Sequence, residues 1–133
     1  MIAIDSSALV ALFIGEDDAE QIAACIEDAD ERIMSAATLL ETSIVLGDTR
    51  FASSDGNAWL DRLIARQNIR IEPVTELQAQ LARDAYRQFG KGTGHPAQLN
   101  FGDCFAYALA KAMDVPLLYK GQDFARTDIA SAL

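Results

Sequence analysis

Short apolar runs alternate with longer helical patterns along the chain, and this alternation restricts the fold more than any other feature. Strands are predicted at Met1–Ile4, Arg32–Ser35, Ile69–Glu72 and Val115–Tyr119, with a last short one at Asp128–Ala130. Strands separated by helices favour a parallel sheet, because each connection must carry the chain back to the edge where the previous strand began. We therefore predict an α/β fold with a short, mostly parallel central sheet and helices on both faces.

The helices between these strands are indicated by apolar side chains that recur every three or four residues. Ser6 or Ser7 is expected to cap the first of them. A loop or helix start is expected at Phe51–Asn57, and a surface loop at Gly90–Asn100. The predicted helices cover Ala8–Ile14, a stretch opened by Glu16–Asp18, Ala37–Leu46, Ala58–Gln67, Thr75–Phe89 and Gly102–Met113.

The 133 residues suit a single domain that spans positions 1–133. No apolar run is long enough to cross a membrane, and no basic signal-peptide start precedes the first strand, so a cytoplasmic location is expected. Cys25 and Cys104 lie in apolar helical patterns and are expected to be small buried hydrophobes. The net charge of −9 argues against a simple electrostatic nucleic-acid binder, although basic residues outnumber acids from Arg50 to Lys111.

Four acidic residues stand out because their surroundings do not suit a solvated charge. Asp5 and Asp123 follow predicted strands, and Asp103 lies in the first turn of an otherwise apolar helix. Glu41 shares a helix face with Ile44–Val45 and is therefore expected to be buried. In an alternating α/β fold, strand ends and helix starts meet at one edge of the sheet. We predict that the four carboxylates converge there.

Carboxylates packed together repel one another and tend to protonate unless a cation neutralises them. Oxygen ligands without clustered histidine or cysteine select Mg²⁺ or Mn²⁺, and sites of this kind perform phosphoryl chemistry. Ser7 lies two residues after Asp5, so its hydroxyl could reach the metal shell or a phosphate. The sequence thus predicts a metal-dependent site for phosphate chemistry.

Each of these residues also has a simpler structural interpretation. Asp5 and Asp123 could be turn residues, and Asp103 could be a helix cap. Glu41 could pair with a buried arginine, and Ser7 could be a helix N-cap. The ordered set of four acids, more than any one of them, favours a shared site.

Other catalytic arrangements are poorly supported. The run Gly90–Gly94 lacks the spacing of a Walker motif and follows a helix instead of a strand. No Gly-x-Ser-x-Gly sequence is present, which disfavours an α/β-hydrolase. His95 is the only histidine and lies in a glycine-rich loop, so a Ser–His or Cys–His mechanism is disfavoured.

Several motifs, taken in order, resemble the PIN domain family and, more narrowly, the VapC toxins of bacterial toxin–antitoxin pairs. The likeness covers essentially the whole chain. The motifs are Asp5-Ser6-Ser7, the mid-helix Glu41, Asn100-Phe101-Gly102-Asp103 and Gly121-Gln122-Asp123-Phe124. The most specific stretches are YRQFGKGTGHPAQLNFGDCFAYALAK, from Tyr86 to Lys111, and LLYKGQDFARTDI, from Leu117 to Ile129.

The resemblance implies a Mg²⁺- or Mn²⁺-dependent endoribonuclease that cuts RNA by metal-activated water, together with a cognate antitoxin bound across its active site and a homodimer. The motif match makes Asp5, Glu41, Asp103 and Asp123 metal ligands and Ser7 an accessory residue. Gln122 departs from the Asp or Asn that members often have there, which would alter the outer metal shell.

Two basic residues, Arg87 and Lys91, could steer the RNA backbone. A module that binds RNA or a partner without cutting it is the main alternative. A receiver-like domain is less consistent, because Asp5 is followed by Ser6 instead of a second acid. A phosphatase of the haloacid dehalogenase type would need an aspartate where Ser7 lies.

Overall fold

A computed structural model describes residues 1–48 and 55–133 of the chain. Within these ranges one sheet is formed by four strands, β1 (Ile2–Ile4), β2 (Arg32–Ser35), β3 (Ile69–Glu72) and β4 (Leu117–Leu118). The strand order is β3-β2-β1-β4, and each neighbouring pair is parallel. The predicted parallel sheet is therefore confirmed.

The described residues contain six α-helices and one 3₁₀ turn, at Phe124–Arg126. The helices are α1 (Ser6–Ile14), α2 (Ala19–Asp28), α3 (Ala36–Leu46), α4 (Gly56–Arg66), α5 (Glu76–Phe89) and α6 (Phe101–Met113). All six predicted helices are present. Most of the segment predicted as a loop or helix start, Phe51–Asn57, lies outside the described residues. Across the described ranges, no helix combines the length and apolar character that a membrane span requires.

The core is divided into two layers because successive residues of a strand point to opposite faces of the sheet. One layer packs against α1, α2 and α4, and the other against α5 and α6. The strand residues in the first layer include Ile4, Met34 and Leu118, and those in the second Ala3, Ile33 and Leu117. The sheet thus carries helices on both faces, as predicted.

The strand order changes direction at β1, which has β2 on one side and β4 on the other. In parallel sheets, ligands usually bind in the crevice at the carboxyl ends of strands where such a change occurs. Asp5 directly follows β1, and Asp123 follows shortly after β4. The fold therefore brings these two predicted site residues to the same edge.

The predicted last strand, Asp128–Ala130, is wrong. The chain passes beside β4 and makes a single parallel bridge between Leu117 and Ser131. The Leu117 N–H donates to the Ala130 carbonyl at 2.9 Å, and the pairing extends no further than the Ala132 N–H. A strand of only two residues, as β4 is, offers too short a template for a longer partner.

The buried face of α3 differs from the one expected. Thr38, Thr42 and Leu46 point inward, whereas Leu40 and Ile44 are 63% and 66% exposed. The apolar residues around Glu41 therefore do not mark the core, and Glu41 itself is half-buried instead of buried. The helix packs on the core with a face that contains two threonines, and it leaves apolar side chains at the surface.

Candidate active site

Asp5 joins the end of β1 to the beginning of α1. Its main-chain N–H donates to the Leu118 carbonyl of β4 at 2.9 Å, which fixes the residue between the two strands. Its Oδ2 accepts the Ser7 N–H at 2.9 Å and the Ser7 hydroxyl at 2.6 Å. Asp5 is therefore the N-cap of α1, and the expectation that Ser6 or Ser7 caps this helix is wrong.

The other carboxylate oxygen of Asp5, Oδ1, is buried and has no hydrogen-bond partner among the described residues. The residue as a whole is only 1% exposed. Burial raises the pKa of Asp5 to about 6, and the Glu41 charge adds to the increase while hydrogen bonds from Ser7 oppose it. An acid with a free, buried oxygen is well suited to coordinate a cation.

Ser7 connects Asp5 to the end of β4. Its hydroxyl oxygen accepts the Lys120 main-chain N–H at 3.0 Å while the hydroxyl donates to Asp5. The Lys120 ammonium pairs with Glu16 at 2.7 Å and with Asp18 at 2.9 Å, between α1 and α2. Hydrogen bonds of Ser7 thus link the Asp5 carboxylate to the main chain just after β4.

Glu41 extends from α3 toward the starts of α1 and α6. Its Oε1 accepts the Ser6 hydroxyl at 2.7 Å. Its Oε2 lies directly against Gly102, 1.6 Å from the point that a Cβ atom on that residue would occupy. No arginine among the described residues pairs with Glu41, so the alternative of a buried ion pair is not supported there.

Asp103 occupies the first turn of α6 and forms a capping box with Asn100. The Asn100 N–H donates to Asp103 Oδ2 at 3.0 Å, and the Asp103 N–H donates to the Asn100 side chain at 2.9 Å. Burial raises the pKa of Asp103 to about 7, although the hydrogen bond from Asn100 opposes it. The negative charges of Asp5, Glu41 and Asp123 raise it further. The other three acids are therefore close enough to Asp103 to act on its charge.

Asp123 is the most open of the four acids. It is exposed and begins the 3₁₀ turn, without a hydrogen bond from its side chain to the turn. As the side chains stand, no three acidic, histidine or cysteine residues within 1–48 and 55–133 are arranged to hold one metal ion. The structure brings the four acids into one neighbourhood, and their joint coordination of a cation stays a prediction.

The chemistry of the donor set fits a hard divalent cation. All four side chains offer carboxylate oxygens, which Mg²⁺ and Mn²⁺ prefer. One oxygen of each of Asp5, Glu41 and Asp103 accepts a hydrogen bond, from Ser7, Ser6 and Asn100 respectively, which leaves the other oxygen for a ligand. A divalent cation would also offset the burial and the charge repulsion that raise the pKa of Asp103.

Ser6 and Gly102 both contact Glu41, and the sequence does not predict either of them as a site residue. The sequence predicts Ser6 only as a helix cap and Gly102 only as part of a motif. The only signal for the glycine is its place in a helical turn, although the first turn penalises glycine less than the helix interior does. Ser6 had no such signal, because serine after a strand is common at helix starts.

The residues predicted to steer RNA lie beside a groove of about 700 Å³ between α5 and the start of α6. Arg87 and Lys91 both line this groove, and Arg87 also pairs with Asp84 at 3.2 Å. The groove reaches Asn100, three residues before Asp103. Its other lining residues include the aromatic side chains of Tyr86, Phe101 and Phe105.

His95 has a structural role. Its ring packs edge-on against Phe89 with ring centroids 5.0 Å apart, and its Nδ1 accepts the Ala97 N–H at 3.0 Å. Cys104 is buried and Cys25 is partly buried, and both are free thiols. Burial raises the pKa of the Cys104 thiol to about 11, which leaves it unreactive.

The sequence profile of the PIN domain family matches residues 2–130. The chain belongs to the PIN-domain family. Within it, this PIN domain is similar to Ribonuclease VapC28 of Mycobacterium tuberculosis, with 49% identity over 130 residues that cover 98% of this chain and 96% of the relative. The resemblance seen in the sequence motifs is therefore confirmed.

Solved structures support the same fold. The PIN domain resembles the crystal structure of VapC20 from Mycobacterium tuberculosis, a toxin that cleaves the sarcin-ricin loop, with a TM-score of 0.72 and 16% identity. That likeness covers 98% of this chain and 97% of VapC20. A chain in a toxin–antitoxin complex from Klebsiella pneumoniae matches with a TM-score of 0.66 and 17% identity, covering 94% of this chain and 91% of its own.

Proposed function

We propose that this PIN-domain protein is a Mg²⁺- or Mn²⁺-dependent endoribonuclease and the toxin of a type II toxin–antitoxin pair. The observation that carries the proposal is the buried carboxylate of Asp5 at the change in strand order, whose Oδ1 has no hydrogen-bond partner among the described residues. The ribonuclease activity in the name of its 49%-identical relative supports RNA as the substrate. The charges of Asp5, Glu41 and Asp123, which act on Asp103 together with its burial, also support a cation at this place.

Each residue has a definite task in this proposal. Asp5 and Asp103 are the principal ligands, because a hydrogen bond holds one carboxylate oxygen of each and the other oxygen of Asp5 is buried without a partner among the described residues. Glu41 holds or orients the ion or a water, and Asp123 completes the shell from its exposed position. Ser7 holds Asp5 through the hydrogen bond to Oδ2.

The reaction is hydrolysis of an RNA phosphodiester. A water oxygen bonds to phosphorus while the bond to the leaving ribose oxygen, opposite the attacking water, breaks. A bound Mg²⁺ or Mn²⁺ would neutralise phosphate charge and make the water more acidic. The chain contributes fixed carboxylates, held by Ser6, Ser7 and Asn100, so that little reorganisation is needed when substrate binds.

The proposal also specifies partners and place. RNA and a small cognate antitoxin are the expected partners, in the cytoplasm, and the antitoxin would inhibit by covering the site. A homodimer is supported by apolar side chains left at the surface. Leu40 and Ile44 of α3 and, separately, Phe101 of α6 are largely exposed, Phe101 by 79%. Exposed apolar residues of this kind commonly mark protein interfaces.

Cleavage of a structured RNA by the purified protein is the direct test. We expect cleavage with Mg²⁺ or Mn²⁺, none with EDTA, and none from Asp103→Asn. Asp61→Asn is the matched control, because Asp61 is an exposed acid of α4. Cleavage that survives both EDTA and Asp103→Asn would refute the metal-dependent mechanism.

The toxin role needs a separate test in cells. Induced expression of the protein should arrest growth, and Asp103→Asn should not. Co-expression of the small protein encoded beside the gene should restore growth. Arrest that is equally strong with Asp103→Asn would instead favour the alternative, a module that binds RNA or a partner without cutting.

A further inference from the structure

We propose that Gly102 is a positioning residue for Glu41, because its missing side chain leaves the space in which the Glu41 carboxylate lies. The inference rests on the proposed function and adds to it a residue that contributes no ligand. It follows from the packing at the start of α6, where α3 and α6 meet.

The space beside Gly102 is filled by the Glu41 carboxylate. A Cβ atom on Gly102 would lie 1.6 Å from Oε2, 2.5 Å from Cδ and 3.0 Å from Oε1 of Glu41. Non-bonded carbon and oxygen atoms do not approach so closely, so any other residue at this position must displace the carboxylate. The displaced group is the end of a flexible side chain, so we expect the variant protein to fold.

Backbone geometry does not explain this glycine. Gly102 lies in the first turn of α6, and it is not among the glycines with left-handed backbone, which are Gly15, Gly92, Gly94 and Gly121. In a right-handed helix, alanine is more favourable than glycine. Gly102 therefore lowers local helix stability, and the contact that it permits is the one with Glu41.

A second residue fixes the opposite oxygen of the same carboxylate. The Ser6 hydroxyl donates to Glu41 Oε1 at 2.7 Å, while Oε2 faces Gly102. Ser6 directly follows Asp5, and Gly102 directly precedes Asp103. The Glu41 carboxylate is thus held between the immediate neighbours of the two acids proposed as principal ligands. This arrangement fixes Glu41 relative to both of them at once.

The test is a double-mutant cycle between Gly102→Ala and Glu41→Ala, read by Mn²⁺ titration of the purified protein. Gly102→Ala should weaken Mn²⁺ binding by about tenfold to a hundredfold, the usual effect of losing a residue that orients a ligand. In the Glu41→Ala background, the same substitution should cause no further loss. Gly47→Ala is the matched control, because Gly47 has right-handed φ and its added Cβ would meet no acid.

Thermal unfolding of the wild type, the two single variants and the double variant gives a readout that needs neither metal nor RNA. Gly102→Ala should raise Tm in the Glu41→Ala background, where alanine favours the helix, and should raise it less or lower it in the wild type. Equal Tm changes in both backgrounds would overturn the inference. So would unchanged Mn²⁺ affinity in Gly102→Ala. A wild-type protein that neither binds Mn²⁺ nor cleaves RNA would overturn the proposed function, and the Tm cycle would still decide whether Gly102 and Glu41 are coupled.

Discussion

Ser7 donates both its main-chain N–H and its hydroxyl to the same oxygen of Asp5, at 2.9 and 2.6 Å, while the opposite oxygen has no hydrogen-bond partner within residues 1–48 and 55–133. The serine thereby orients the carboxylate, and its hydroxyl oxygen also receives the Lys120 N–H from the end of β4 at 3.0 Å. The Ser7 side chain thus links the acid at the end of β1 to the main chain just after β4 through hydrogen bonds.

Ser7→Ala removes the hydroxyl while it keeps the main-chain cap of α1. We expect Mn²⁺ affinity and RNA cleavage to fall by about tenfold to a hundredfold, because the partner that orients Asp5 is lost. The free energy of unfolding should fall by only about 1 to 3 kcal/mol. Ser131→Ala, at the exposed C-terminal end, is the control for removing a serine hydroxyl. Unchanged cleavage by Ser7→Ala would contradict the positioning role.

Stability of the metal-free protein should depend on pH through Asp5 and Asp103. Their pKa values are raised from 3.8 to about 6 and about 7, chiefly by burial. Between pH 3.8 and about pH 7, the folded state therefore binds more protons than the unfolded state. Stability should fall as the pH rises from about 4 to about 7. Urea unfolding in EDTA, compared with Asp5→Asn/Asp103→Asn, measures this dependence. An equal slope in both proteins would contradict it.

Two neighbouring threonines of α3 should respond oppositely to replacement by valine. Thr38 Oγ1 is buried and has no partner among the described residues, whereas the Thr42 hydroxyl donates to the Thr38 carbonyl at 2.8 Å. Thr38→Val should raise the free energy of unfolding by about 1 kcal/mol, and Thr42→Val should lower it by a similar amount. Urea denaturation of the two variants gives both values. Destabilisation by Thr38→Val would show that its hydroxyl has a partner in solution.

Association through α3 can be tested at Ile44, which is 66% exposed. A charge at this position should prevent an apolar interface from forming. Ile44→Glu should therefore convert a dimer into a monomer in light scattering, with RNA cleavage per chain as a second readout. Ile14→Glu is the matched control, because Ile14 is an exposed isoleucine at the end of α1. A dimer that persists in Ile44→Glu places the interface elsewhere.

The positions of Asp5 and Asp123 could be predicted because strand ends are readable in the sequence and a parallel sheet brings them to one edge. The surroundings of Glu41 could not. Leu40 and Ile44 look like core residues, but they are exposed, and the buried face of α3 contains Thr38 and Thr42. Hydrophobic periodicity cannot distinguish a face that packs on the core from one that is left for a partner.

The contacts that hold the acids depend on which elements meet in space. The Ser6 bond to Glu41 joins residues 35 positions apart, and the Lys120 bond to Ser7 joins residues 113 apart. Neither pair has a local pattern that would reveal it. The predicted strand at Asp128–Ala130 is wrong for a similar reason, because the sequence does not show that β4 has only two residues to pair with it.

Asp103 has two roles. Its side chain caps α6 together with Asn100, and its charge is part of the candidate site. An alanine at position 103 would abolish both, so that an inactive protein could simply be one whose α6 no longer begins correctly. Asparagine retains an oxygen for the Asn100 N–H and deletes only the charge. Inactive forms for co-crystallisation with RNA or an inhibitor should therefore carry Asp103→Asn. We expect this substitution to remove activity and to keep the start of α6 intact.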